Sequence, residues 1–243
     1  MGLELLADVA KLAIFIAIGY LSLQASVRRW RPAWSSRLAR RRVAVLGLLT
    51  LATGAIKLIE DVVAKESGPA DAAALGFVRE QVPAALHGFF AGLTLTGSAA
   101  FLLPVSVVAV LALLLAGRHF EARLLGASML AAPLLVYVLK AMVGRERPLL
   151  WEAQSYWGSS FPSGHTLGAA AFAAAAALCL ARIWPRSAPT AMTCGMLWAS
   201  GVALSRLVLG VHWPSDVLAA LCLGLFIPLG LSMAFDRGRP EQR

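Results

Sequence analysis

The sequence predicts an all-α, polytopic membrane helix bundle: six core transmembrane helices plus an extra N-terminal span or interfacial helix. Three observations predict it. The 243 residues are 59% hydrophobic and 14% charged, with a mean hydropathy of +0.73; a soluble domain averages roughly a quarter charged residues. Apolar runs of about 20 residues, the length that crosses a bilayer core, recur between short loops. These runs are apolar all round the helix, the signature of a membrane or deep-core segment.

The elements follow in order. Residues 9–27 contain a short apolar stretch, Leu12 to Leu23, preceded by Asp8 and Lys11. That length suits a span or an interfacial helix, and the absence of a basic n-region and of a small-residue cleavage pattern argues against a removed signal peptide. The six core helices are expected at roughly 43–63, 89–116, 124–143, 164–182, 190–209 and 215–235. The Ala run 169–177 reads as close helix packing. The chain divides into residues 1–42, a hydrophobic segment with an Arg-rich loop; residues 43–236, a six-helix membrane domain; and a tail, 237–243. Cys179, Cys194 and Cys222 all fall in apolar segments without metal-ligand spacing, which suits core packing.

Charge sets the orientation. A net charge of +9 would suggest nucleic acid in a soluble chain. Here the basic residues lie mostly in loops, where they meet anionic headgroups, so the expected partners are membrane lipids and not nucleic acid. Loop 28–42 carries seven arginines: Arg28, Arg29, Arg31, Arg37, Arg40, Arg41 and Arg42. Arg118 and Arg123, Arg182 and Arg186, and Arg237, Arg239 and Arg243 mark three further basic segments. By the positive-inside rule all four are cytoplasmic. The expected location is a cell (inner) membrane, with segments 64–88, 144–163 and 210–214 on the periplasmic or extracytoplasmic side. Within 64–88, Ala72 to Val82 is an amphipathic helix candidate. Lys57 and Asp61 are spaced for an i,i+4 pair. Trp151, Tyr156 and Trp157 suit an aromatic belt.

Three clusters stand out because charge beside a membrane segment is expensive. They are Lys140 with Arg147-Pro148, then Pro162-Ser163-Gly164-His165, then Ser205-Arg206 with His212 and Asp216. With a helix rising 1.5 Å per residue, the one that opens at His165 runs about 27 Å inward and the next returns about as far. All three clusters therefore meet at one face. Lys140, Arg147 and Arg206 suit a phosphoryl group, the guanidinium as a fork and the ammonium as a point charge; each taken alone reads first as an interface anchor. Arg145 reads as an anchor or a support beside them. Ser163 is an N-cap type, Gly164 permits close approach of a ligand, and the free N–H groups there favour an anion. His165, on the first turn, is placed to give a proton to a leaving oxygen. Pro214 favours a helix start, which puts Asp216 in the first turn, within reach of His212. A carboxylate on one imidazole nitrogen presents the other as a nucleophile. These residues describe a phosphate cradle with two histidines, and leave open which is nucleophile and which is acid.

Together the clusters resemble the phosphatidic acid phosphatase type 2 superfamily of membrane lipid phosphatases. Its signature is Lys, six residues, Arg-Pro; then Pro-Ser-Gly-His; then Ser-Arg, five residues, His, three residues, Asp. Lys140 to Asp216, 77 residues, fill every position. The resemblance implies that His212 attacks phosphorus to form a phosphohistidine, that Asp216 orients it, and that His165 protonates the leaving group and then activates water. It implies phosphate binding by Lys140, Arg147, Ser163, the Gly164 N–H and Arg206, and chemistry without a metal or other cofactor; the sequence offers no carboxylate cluster suited to Mg²⁺. The expected substrate is a lipid phosphomonoester or diphosphate, such as undecaprenyl diphosphate, phosphatidylglycerol phosphate, phosphatidic acid or lipid A. A lipid phosphotransferase sharing the intermediate and a non-catalytic lipid-phosphate transporter are the alternatives. Oligomeric state is not legible in the sequence.

Overall fold

Ten α-helices form among the described residues of the computed structural model, which are 2–148 and 158–236, with no strand. They are α1 (Gly2–Trp30), α2 (Ser35–Arg40), α3 (Arg42–Val63), α4 (Gly68–Gln81), α5 (His87–Leu95), α6 (Ala99–Leu115), α7 (His119–Val143), α8 (Gly164–Ile183), α9 (Ala188–Val208) and α10 (Pro214–Phe235). Six stretches are long and apolar enough to span a membrane: Ala10–Trp30, α3, α7, α8, Pro185–Val208 and α10. The α5–α6 pair makes a seventh if taken as one bent span. The N-terminal helix is far longer than its apolar run and packs along α3.

The centre of the bundle is α8. Its alanines Ala169, Ala170, Ala171 and Ala175 are fully buried, so α7, α9 and α10 pack closely against it. Gly224 of α10 shows how close: a Cβ there would lie 2.7 Å from the Leu167 carbonyl and the Ala170 methyl. Small residues permit such backbone approach in lipid, where no hydrophobic force drives helices together.

One expected element is corrected. The single helix over 89–116 is two helices, α5 and α6, bent by 42° across Thr96-Gly97-Ser98. Ser98 caps α6 by accepting the Phe101 N–H at 3.3 Å. A Cβ on Gly97 would lie 2.5 Å from Val202 and 3.3 Å from the His165 carbonyl. The break thus lets the chain press against α9 and the start of α8, a tertiary demand invisible to hydropathy.

Other expectations are met. The candidate stretch Ala72 to Val82 falls almost wholly within α4, which packs against α9 and α10 and buries its Asp71 and Leu75. Lys57 Nζ lies 2.7 Å from Asp61 Oδ1. The aromatic belt of Trp151, Tyr156 and Trp157, and the arginines of the tail, fall outside the described residues.

The two ends of the bundle are distinct. At one, Arg182 lies 3.3 Å from Glu121 and 3.6 Å from Asp236, and Arg41 also pairs with Asp236. These contacts gather the basic segments around Arg41, Arg118, Arg182 and the end of α10. The three signature clusters lie at the opposite end.

Candidate active site

The clusters converge because four helix ends meet: the C-termini of α7 and α9 and the N-termini of α8 and α10. Helix α7 carries Lys140 in its last turn and stops at Gly144, whose left-handed φ of 61° lets the chain turn back across the bundle end. Lys140 Nζ donates to the Ser159 carbonyl at 2.8 Å. Arg147 donates through Nε to the Gly158 carbonyl at 3.2 Å, through Nη2 to the Ser159 carbonyl at 3.3 Å and through Nη1 to the Val211 carbonyl at 2.8 Å. One guanidinium therefore ties the return of the 144–163 loop to the α9–α10 turn. Arg206, 1% exposed at the end of α9, donates through Nη1 to Thr94 Oγ1 of α5 at 2.7 Å.

Ser163 caps α8 as its residue type demands. Its Oγ accepts from the Thr166 hydroxyl at 3.0 Å, and its backbone N–H donates to the Asp216 carbonyl at 3.3 Å, which joins the second cluster to the third. Gly164 and His165 follow as the first helical residues. His165 lies within electrostatic reach of Arg206, His212, Lys140 and Arg147.

Pro214 opens α10, and Asp216 in its first turn reaches back as the sequence spacing predicts. Asp216 Oδ2 accepts the Trp213 N–H at 2.9 Å and faces His212 Nδ1 at 3.4 Å. His212 Nε2 faces Arg147 Nη1 at 3.4 Å. With Nδ1 protonated toward the carboxylate, the Nε2 lone pair points to the cation cluster. Burial pushes the His212 imidazole down to about 4, and the Asp216 hydrogen bond opposes that only in part. His212 is therefore neutral at pH 7, the form a nucleophile needs.

All eight predicted site residues meet at this end of the bundle. Sequence reasoning saw only part of what stands behind them. Arg145, read as either an anchor or a support, is a support: it donates to Asp216 Oδ1 at 2.7 Å and to Asp71 Oδ2 at 2.6 Å. Asp71 is 3% exposed and also accepts from the Ser215 N–H and hydroxyl. The missed signal was a carboxylate in the Ala-rich 70–75 stretch, with no lysine or arginine within four residues of it. Thr94, a partner of Arg206, gave no signal at all. Among the described residues, no three His, Cys, Asp or Glu side chains gather as a metal site.

Comparison with known proteins identifies the family. The sequence model of the PAP2 superfamily matches residues 121–239. The chain is 37% identical over 87 residues to phosphatidylglycerophosphatase B of Escherichia coli (strain K12), a match covering 34% of this chain and about a third (33%) of that relative's length. It is 30% identical over 146 residues to phosphatidylglycerophosphatase B of Bacillus subtilis (strain 168), covering 58% of this chain and 71% of the relative. Among solved structures it resembles a transmembrane PAP2-type phosphatidylglycerolphosphate phosphatase from Bacillus subtilis, with a TM-score of 0.73 and 26% identity over 81% of this chain and 98% of that one. By its matched sequence, its helical architecture and its relatives, the chain belongs to the PAP2 superfamily.

Proposed function

We propose that this protein is a membrane lipid phosphatase that works through a phosphohistidine on His212. One observation carries the reading: a buried, neutral His212 stands between the Asp216 carboxylate on Nδ1 and the Arg147 guanidinium on Nε2, with Arg206 within electrostatic reach. Lys140, Arg147 and Arg206 donate to backbone carbonyls and a hydroxyl.

The reaction runs in two balanced steps. A lipid phosphate seats among Lys140, Arg147, Arg206 and the start of α8. The Nε2 lone pair attacks phosphorus, the bond from phosphorus to the lipid oxygen breaks, and His165 gives that oxygen its proton. Water then attacks the phosphohistidine, His165 takes the water's proton, and inorganic phosphate leaves with His212 restored. The cations stabilise charge on the equatorial oxygens in both steps. Asp216 stabilises the ring while it carries positive charge.

The substrate class is a lipid phosphomonoester or diphosphate. Its chains stay in the bilayer while its headgroup meets the helix ends. The relatives' names favour phosphatidylglycerol phosphate as the first substrate to assay. The site faces the extracytoplasmic side on this reading, because the basic segments gather at the other end. The test is phosphate release by purified protein in detergent with EDTA, across a lipid panel, beside His212→Ala. We expect release from at least one lipid and a loss in the variant of about 10⁴-fold or more. Turnover that survives in His212→Ala refutes the mechanism. Label moving to a second lipid without phosphate release would make it a transferase.

A further inference from the structure

Asp71 lies on α4, outside the three clusters, and nothing in their chemistry requires it. Yet it is among the most buried carboxylates of the described residues. Its oxygens accept three hydrogen bonds: Oδ1 takes the Ser215 N–H at 2.8 Å, and Oδ2 takes the Ser215 hydroxyl and Arg145 Nη2, each at 2.6 Å. Arg145 spends its fork on two carboxylates, Nη2 on Asp71 and Nη1 on Asp216. Ser67 accepts from Nη2 at 3.1 Å, and Ser215 Oγ from Nη1 at 2.7 Å.

Packing alone does not place this guanidinium. With Lys65, Ser67 and Trp213, Arg145 borders a cavity of about 560 Å³. The two carboxylates and the Trp213 ring, 5.5 Å away, hold it at the cavity edge.

Charge accounting gives Asp71 a purpose. A guanidinium serving Asp216 alone would neutralise it. Shared with Asp71, Arg145 fixes the position of Asp216 while a net negative charge remains beside His212. That charge is what an imidazole needs when attack through Nε2 turns it positive.

We propose that Asp71 is a positioning residue for phosphoryl transfer: through Arg145 and Ser215 it braces Asp216, and through Asp216 it supports His212. The inference rests on the phosphohistidine reading above. It makes α4, a helix outside the span set, part of the machinery.

The test compares Asp71→Asn, Asp71→Glu and Arg145→Lys with wild type, each measured per folded molecule on the lipid found by the panel. Inorganic phosphate as inhibitor probes the cation cluster separately. In Asp71→Asn we expect kcat to fall roughly ten- to hundredfold, the scale of one charged hydrogen bond, with KM and phosphate inhibition within about twofold. Asp71→Glu should recover part of the loss. Arg145→Lys, which keeps the charge but cannot fork, should show the same kcat signature and serves if Asp71→Asn does not fold. The decisive measurement is a cycle with Asp216→Asn: in that background Asp71→Asn should add less than about twofold, because both act through one carboxylate. Losses that multiply, or a wild-type kcat in Asp71→Asn, overturn the inference. Turnover lost in His212→Ala but kept in Asp71→Asn removes this inference alone. Turnover kept in His212→Ala removes the phosphohistidine reading and this inference with it.

Discussion

The two ends of the bundle use the same pair chemistry to different ends. At each, one arginine bridges two carboxylates from different helices: Arg145 between Asp71 and Asp216, and Arg182 between Glu121 and Asp236. The Arg182 pairs are longer, at 3.3 and 3.6 Å against 2.6 and 2.7 Å, and more exposed. Arg182 also stacks on Phe120, its guanidinium carbon 3.9 Å from the ring centre. That end is a lock that closes the ends of α3, α7, α8 and α10. The Arg145 bridge differs in one respect: its carboxylate Asp216 also holds a histidine, which faces more cations. A buried ion pair by itself is weak support for function, since such pairs are common structural devices. What sits on the next atom decides.

Substitutions at the two ends should therefore separate activity from stability. The largest effect is expected from His212→Ala, which should abolish turnover while the helical fold survives, as judged by circular dichroism. Next comes Thr94→Val. It removes the hydroxyl that accepts from the buried Arg206, and should cost roughly tenfold or more in activity; an unchanged phosphate inhibition constant would show that Thr94 does not place Arg206. Acid should then act through His212. Its folded value of about 4 lies below the ordinary 6.5, so the unfolded chain takes up the proton first. The contribution to stability is full above about pH 6.5 and is lost as pH falls toward 4, a slope that His212→Ala should flatten in thermal unfolding. The smallest effect on turnover belongs to the other end. Arg182→Ala should lower the melting temperature, by about 2–4 °C per kcal/mol lost in a chain of this size, and leave kcat per folded molecule near wild type. A drop in kcat there would mean that the two ends are coupled.

Much of this was legible in the chain. The spans were read from runs of apolar residues, because lipid demands a length and a composition that local sequence supplies. The reach of Asp216 to His212 was read from four residues and a proline, because a helix start has one geometry. The convergence of the three clusters followed from the order and orientation of the spans together with helix length. The break at Gly97 was not legible, since Thr96 to Ser98 sits in an otherwise continuous apolar run, and its cause lies in Val202 and His165. Arg145 was seen and undervalued, because its partners Asp71 and Asp216 are 74 and 71 residues away.

The sequence by itself determined the membrane character, the helical class, the two histidines and the cations, because each depends on composition or on spacing within a few turns. Only the tertiary structure decided the bend of α5 against α6, the pairing of Arg206 with Thr94, and the bracing of Asp216 by Asp71 through Arg145. Those rest on contacts between distant segments, and a hydrogen bond across the bundle leaves no periodicity in the chain for sequence to carry.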